Sequence, residues 1–218
     1  MLQRLQCIMC GLVFAAGVAA LVPASAAEFG SWNAEVPAGG VGLEKPLPEN
    51  SPLLAADARW TAYGWINATR SASGKQPLAG LGDPDSEARC FMAGAGRPGF
   101  WWGADRALSS NARLQPGRWH FQAASARDGE LTLPLDGRRV ASGPASASPI
   151  APAAAGPHRQ PSNDAQHFAG RIAGFTVGDT VLDAARVAAL ARTPPDASTR
   201  CEPASPSGRC RRGRWPGR

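Results

Sequence analysis

The stretch ARDGELTLPLDGRRVASG, residues 126–143, contains two Asp-Gly pairs eight residues apart. Asp-Gly is typical of a two-residue type I′ turn, because both residues tolerate a positive φ. Between the two pairs, Leu131, Leu133 and Leu135 are spaced by two residues, and a strand would present all three on one face. The stretch therefore predicts a three-stranded antiparallel meander with one buried side.

Further strand signals recur along the chain, separated by Gly- and Pro-rich turns. Arg59–Asn67 (RWTAYGWIN) has large residues on both faces and is predicted to be a central strand. Asp183 is predicted to cap a short helix that ends before Pro194. Other short strand runs lie at 29–33, 77–82, 88–93, 99–103 and 167–177. Short strands without interleaved helices predict an all-β sandwich or jelly roll with one short C-terminal helix.

The first 27 residues have the composition of a secretory signal peptide. Arg4 supplies a positive start, an apolar run follows, and the small residues of 23–27 (PASAA) suit signal peptidase. The apolar run is too short to span a bilayer comfortably. We therefore expect a secreted or periplasmic protein without stable membrane insertion after cleavage, and an uncleaved anchor is the alternative.

Composition divides the rest of the chain into a Gly- and Pro-rich leader (28–50), a domain (51–192) and a disordered basic tail (193–218).

The formal net charge of +6 comes from the two ends of the chain. Six arginines and one glutamate after Thr199 give +5, and Arg4 gives the remaining +1. The remaining 16 basic and 16 acidic residues balance, which leaves no electrostatic basis for nucleic-acid binding. A polyanion or membrane-surface contact is the alternative function of the tail.

The cysteines and histidines form no recognisable metal site. Cys90, Cys201 and Cys210 remain after signal cleavage; their odd number defines no disulfide framework, and their spacing does not suit zinc. Cys90 is interpreted as a small buried strand residue. The histidines are dispersed, and His120 is expected to face outward beside Trp119.

The order of these elements resembles the laminin-G-like, concanavalin A-like lectin-glucanase jelly-roll domains of bacterial exported proteins, over roughly residues 51–192. The resemblance implies a β-sandwich that serves as a binding or accessory module. The residues that carry it are the aromatic strand Trp60–Trp65, the run Gly117-Arg118-Trp119-His120, the ribbon around Asp136-Gly137, the strand Phe168–Phe175 and the run from Val181 to Leu190.

Two features depart from that family pattern. Pro134 lies in the middle of the ribbon, where it has no N–H to donate, so it is expected at an edge or a bulge. The Pro- and Ala-rich segment 144–166 is expected to be a surface loop in place of a strand that the family normally supplies.

The same sandwich also occurs in glycan-cleaving enzymes, which need two carboxylates flanking the bond. These enzymes usually present them as E-x-D-x-x-E, and that pattern is absent here. Asp83, Asp85 and Glu87 do alternate, but the Gly and Pro beside them predict a turn. No catalytic residue is assigned; a glycan hydrolase, or the N-terminal accessory module of a truncated glycoside hydrolase, is the alternative function.

Asp83, Asp85 and Glu87 also offer the oxygen ligands that calcium prefers, so they form a candidate calcium site. Ordinary loop charges are the alternative interpretation of these three residues.

The run Phe100-Trp101-Trp102 places neighbouring tryptophans on opposite faces of a strand. One of them is then available to stack on a pyranose ring, although tryptophans in sandwiches are more often core. Asp105 and Arg106 would supply hydrogen bonds. The predicted ligand is a glycan or cell-surface polysaccharide, with a protein partner or packing on a missing glycoside hydrolase domain as alternatives.

Overall fold

The fold is built from short antiparallel strands and one helix. The computed structural model describes residues 28–36, 45–46, 51, 53, 55, 59–69, 75–82, 88–94, 96–101, 107–145, 154–157 and 168–195. The elements within these residues are β1 (Glu28–Val36), β2 (Lys45–Pro46), β3 (Trp60–Ala68), β4 (Lys75–Gly82), β5 (Ala88–Gly94), β6 (Arg97–Trp101), β7 (Ala107–Ser109), β8 (His120–Arg127), β9 (Glu130–Leu135), β10 (Arg138–Pro144), β11 (Ala154–Pro157), β12 (Gly170–Gly178) and α1 (Ala184–Leu190).

The strands form two six-stranded antiparallel sheets. Sheet A has the order β1-β12-β3-β8-β9-β10, and sheet B has the order β2-β11-β4-β5-β6-β7. The predicted all-β sandwich with one short C-terminal helix is confirmed. β1 and β2 lie in the segment interpreted as a leader, so that segment contributes to both sheets. Residues 1–27 and 196–218 lie outside the described part of the chain.

Aromatic side chains from both sheets meet in the core. Trp60 of β3 stacks on Phe100 of β6 with ring centroids 5.2 Å apart. Phe91 of β5 lies 5.4 Å from Phe100 and 6.0 Å from Phe175 of β12, edge to face in both cases. Because such rings each bury a large apolar area and pair favourably, this cluster holds the two sheets together.

The predicted meander is confirmed. Asp128 and Asp136 have φ of 51° and 50°, and the glycine after each has φ of 78° or 79°, as a type I′ turn requires. β8, β9 and β10 are consecutive neighbours in sheet A, and the three leucines of β9 are buried. β8, however, is buried on both faces, because α1 packs over its outer face.

The central position predicted for the Trp60 strand is also confirmed. β3 pairs with β12 on one side and β8 on the other. Its residues alternate: Trp60, Ala62 and Ile66 belong to the core between the sheets, whereas Tyr63 and Trp65 pack on the opposite side.

Two expectations about the departures from the family pattern have different outcomes. Pro134 lies in β9, an internal strand of sheet A, so it is not at a sheet edge. The register of β10 shifts between Arg139 and Ala141, opposite Pro134, which confirms the expectation of a bulge.

The expectation that 144–166 contains a loop in place of a strand is wrong, because β11 pairs with both β2 and β4 there. Its sequence AAGP has no apolar alternation, so only the backbone ladder identifies it.

The expectation that His120 faces outward is wrong. Its side chain is 5% exposed, and its Nδ1 lies 2.9 Å from Asp136 Oδ2. Its Nε2 accepts the Gln115 backbone N–H at 2.9 Å, so Nδ1 carries the hydrogen and donates to Asp136. The second carboxylate oxygen of Asp136 accepts the Phe121 N–H at 2.9 Å. One carboxylate thus joins the start of β8 to the turn after β9.

We expect Asp136→Asn to destabilise the fold by about 1–3 kcal/mol, because an amide can satisfy only one of the two donors that Asp136 now accepts. Asparagine tolerates the positive φ of this position, so the backbone itself is not strained. Equilibrium unfolding in urea would measure the change.

Asp128→Asn is the matched control, since it makes the same change at the same position of the other turn. Among the described residues, the partners of Asp128 are the exposed Arg59 and Arg127, and exposed ion pairs contribute little. Equal losses in the two variants would contradict a special role for Asp136.

A second stability prediction concerns Gly64 in β3. A Cβ on Gly64 would lie 2.9 Å from the Phe175 Cα, so Gly64→Ala must push β12 away from β3. We expect a loss of about 1–3 kcal/mol in urea unfolding, as for other overpacked sites. Gly143→Ala in β10 is the control: its Cβ would meet only the flexible Leu108 Cδ1 at 3.4 Å. An unchanged Gly64→Ala midpoint would refute the close packing.

Candidate functional site

Among the residues predicted to bind ligand, Trp101 is the one the structure describes. It is the last residue of β6, and it is partly exposed. Because Phe100 packs into the core, the adjacent Trp101 lies on the outer face of sheet B. The other predicted ligand residues lie outside the described part of the chain: Trp102, Asp105, Arg106, Asp83, Asp85 and Glu87. Sugar stacking on Trp102 and calcium binding therefore stay predictions.

The described residues also allow two wider searches. No group of three or more His, Cys, Asp or Glu side chains among them is placed to hold a metal ion. Within the same ranges, no helix is long and apolar enough to cross a membrane.

A different aromatic cluster lies on the outer face of sheet A. It consists of Tyr63 and Trp65 of β3, Trp119 just before β8, and Arg171 of β12; we call it the aromatic face. All four side chains are partly exposed. The Trp65 ring lies 5.3 Å from that of Phe121, and the Tyr63 ring lies 6.0 Å from it. These contacts give the exposed rings a buried aromatic support.

Strand periodicity and the buried histidine together place these residues. Tyr63 and Trp65 are two apart, so they share a face, and their register partners on β8 are Ala123 and Phe121. Trp119 directly precedes His120, whose side chain is held inward by Asp136. Since successive residues of an extended chain alternate in direction, the inward histidine directs Trp119 to the outer face.

Arg171 covers part of the Trp119 ring. Its Cζ lies 5.1 Å from the ring centroid, within the distance of a cation–π contact. The backbone before Trp119 is held as well, because Gly117 N–H donates to the Ala68 carbonyl at 2.8 Å and Asn67 Nδ2 donates to the Gly117 carbonyl at 3.2 Å. The backbone that leads to the indole is therefore anchored, and the Arg171 guanidinium lies beside the ring.

Helix α1 limits the aromatic face on the β8 side. Val187 is buried against Phe121 and Ala123, with Leu182 and Leu190 packed around them. Asp183 caps the helix as predicted, its side chain accepting the Arg186 N–H at 2.7 Å. The helix covers Phe121, which is 2% exposed, and leaves the rings of β3 and Trp119 partly open.

Several carboxylates near this face already have structural partners. Asp136 bonds to His120 and Asp183 caps α1. Asp128 pairs with Arg127 at 3.0 Å and also with Arg59, and the hydrogen bonds from Arg127 and then Arg59 lower the pKa of Asp128 below its ordinary value. These three carboxylates are therefore already engaged in structural contacts.

Sequence reasoning missed the aromatic face although it recognised all the strands involved. It assigned large residues on both sides of β3 to the core, and it considered Trp101 and Trp102 for sugar stacking. The direction of the His120 side chain would have identified this face, but that direction depends on Asp136, which is 16 residues away.

No curated protein sequence matches this chain. Several solved structures share its fold. The binding domain of botulinum neurotoxin serotype C1 has a TM-score of 0.53 at 10% identity, over 68% of this chain and 39% of that one. The neurotoxin DC binding domain in complex with rat synaptotagmin II has a TM-score of 0.52 at 10% identity, over 68% and 39%.

A Trypanosoma rangeli sialidase in complex with 2,3-difluorosialic acid has a TM-score of 0.50 at 14% identity, over 62% of this chain and 23% of the sialidase. At these identities the likeness concerns the fold alone, and this chain spans less than half of each of the three structures.

The family model Laminin_G_3 matches residues 45–188, which include every described strand from β2 onward and most of α1. Its description is the concanavalin A-like lectin/glucanases superfamily, in agreement with the two-sheet sandwich and its order of motifs. The chain therefore belongs to the concanavalin A-like lectin/glucanases superfamily, as a Laminin_G_3 domain.

Proposed function

We propose that this domain is a non-catalytic binding module whose ligand is a glycan lying against the aromatic face. The observation that carries the proposal is that Tyr63, Trp65 and Trp119 are partly exposed on one sheet face beside Arg171. Binding sites for small ligands commonly combine aromatic surfaces with a few fixed polar groups.

The chemistry of a sugar chain suits this surface. One side of a pyranose ring presents C–H groups that pack on an aromatic ring, while the hydroxyls at its edge need hydrogen-bond partners. Trp65 and Tyr63 supply the rings, and the Arg171 guanidinium has several N–H donors for hydroxyls or carboxylates. Both rings rest on the buried Phe121, so little side-chain freedom is lost on binding.

The family supports this class of function, since it is named for lectins and glucanases. Among the similar structures, the sialidase is in complex with 2,3-difluorosialic acid, and the neurotoxin domain is in complex with a protein, rat synaptotagmin II. A protein partner is therefore the second candidate. In each case the matching region is part of a longer chain, which suits an accessory role such as the predicted partnership with a glycoside hydrolase domain.

We propose that the protein acts outside the cytoplasm, as a secreted or periplasmic protein. The support is the signal-like composition of residues 1–27. A cell-surface polysaccharide is then an accessible ligand.

A glycan array probed with the full chain, with and without calcium, would test the proposal. We expect saturable binding that weakens about tenfold in Trp119→Ala and in Trp65→Ala, because an anchoring aromatic side chain contributes more than 1 kcal/mol. Trp101→Ala, on the outer face of sheet B, is the matched control and should bind like the wild type. Urea unfolding would identify any variant that fails to fold.

The other outcomes have distinct meanings. Binding that is lost only in Trp101→Ala would move the site to sheet B and to the predicted Trp101, Trp102, Asp105 and Arg106 set. Dependence on calcium would support the Asp83, Asp85 and Glu87 site. Silence across the array would contradict glycan binding and favour a protein partner.

A further inference from the structure

A concave site lies on the outer face of sheet A, at the end away from Trp119. It forms where the β8–β9 turn meets the segment between β12 and α1, and we call it the turn pocket. Its volume is about 290 Å³, close to the small end of the range for small-molecule sites, about 300–1,000 Å³. No residue of the aromatic face contributes to its lining.

The floor of the turn pocket is made of hydroxyl groups. Ser125 and Thr132 line it, and Ser125 Oγ lies 3.0 Å from Thr61 Oγ1. Thr61 Oγ1 also accepts the Leu182 N–H at 3.0 Å. Whichever of the two hydroxyls donates to the other, the second hydroxyl hydrogen has no acceptor among the described residues, since each hydroxyl has one hydrogen. When Thr61 donates to Ser125, the spare hydrogen belongs to Ser125, which lines the pocket and can donate it to a ligand.

The rim carries a cation and an anion opposite each other. Arg127 and Glu130 are register partners across the turn, and both line the pocket and are exposed. Arg127 Nε donates to Asp128 at 3.0 Å, which leaves its terminal nitrogens for other acceptors. Within the described ranges, no ion pair joins Arg127 to Glu130. Arg127 therefore brings terminal N–H donors to the same rim as the Glu130 carboxylate.

The third side is an aliphatic wall formed by Val181 and Leu182. The wall is anchored at the end of its short segment that leads into α1. Leu182 N–H bonds to the floor through Thr61, and the next residue, Asp183, caps α1. The Leu182 end of the wall is therefore anchored to β3 and to the start of α1.

We propose that the turn pocket binds a single neutral pyranose unit. Two vicinal hydroxyls of the sugar accept from Arg127 and donate to Glu130, a third meets the Ser125 hydroxyl, and the C–H face of the ring packs on Leu182. A neutral polyol suits this rim because it can accept from Arg127 and donate to Glu130, while Asp128, which also lines the pocket, stays paired with Arg127 and Arg59. The choice of a sugar rests on the proposed function, whereas the site is separate from the aromatic face.

Saturation-transfer NMR with the full chain would test this, using methyl pyranosides of glucose, galactose, mannose and N-acetylglucosamine as probes. We expect transfer to at least one glycoside and about tenfold weaker binding in Glu130→Gln and in Arg127→Lys, the loss expected for one charged hydrogen bond. Both side chains are exposed, so both variants should fold. Glu35→Gln, which removes an exposed carboxylate on β1, is the control and should bind normally.

Trp119→Ala separates this proposal from the previous one, because it should weaken polysaccharide binding about tenfold and leave methyl glycoside binding unchanged. Glycoside binding that depends on Glu130, in a protein that binds no polysaccharide, would uphold the pocket and refute the aromatic face. The pyranose pocket would be overturned if no glycoside shows transfer, or if the Glu130→Gln variant binds with the same affinity as the wild type.

Discussion

The hydrogen bond between His120 and Asp136 is the interaction on which the arrangement of sheet A depends. Asp136 stands at a turn with φ of 50°, and its two oxygens accept from His120 and from the Phe121 backbone. The next residue, Gly137, lies under α1, where an added Cβ would be 3.2 Å from the Ala188 Cα. The Asp136 carboxylate therefore links the start of β8 to the β9–β10 turn, and the next residue of that turn packs against α1.

The two proposed binding regions follow from this arrangement. With His120 held inward, Trp119 lies on the outer face and receives Arg171. With α1 seated over β8, Phe121 is covered, while Tyr63 and Trp65 stay partly open. The segment that leads into the helix then forms the wall of the turn pocket. One part-buried contact thus helps to determine which parts of the outer face can meet a ligand, although it touches no ligand itself.

Much of the fold was predictable because it rests on local chemistry. Asp-Gly turns, the leucine alternation of β9 and the Asp183 cap each depend on residues a few positions apart, and the structure contains all of them. β11 was not predictable, because AAGP has no side-chain pattern and forms a strand only through its neighbours. Of the predicted site, Trp101 is described and partly exposed, which fits but does not test its proposed role.

By itself, the sequence determined the fold class, the turns and the central place of β3, since periodicity and turn propensity report on the local backbone. Only the tertiary structure decided the direction of His120 and the outward position of Trp119. It also decided which outer-face rings α1 leaves open. These features depend on contacts between distant residues, such as His120 with Asp136 and Leu182 with Thr61. No local pattern of residue types encodes such pairings, because each partner's identity is compatible with many other positions in space.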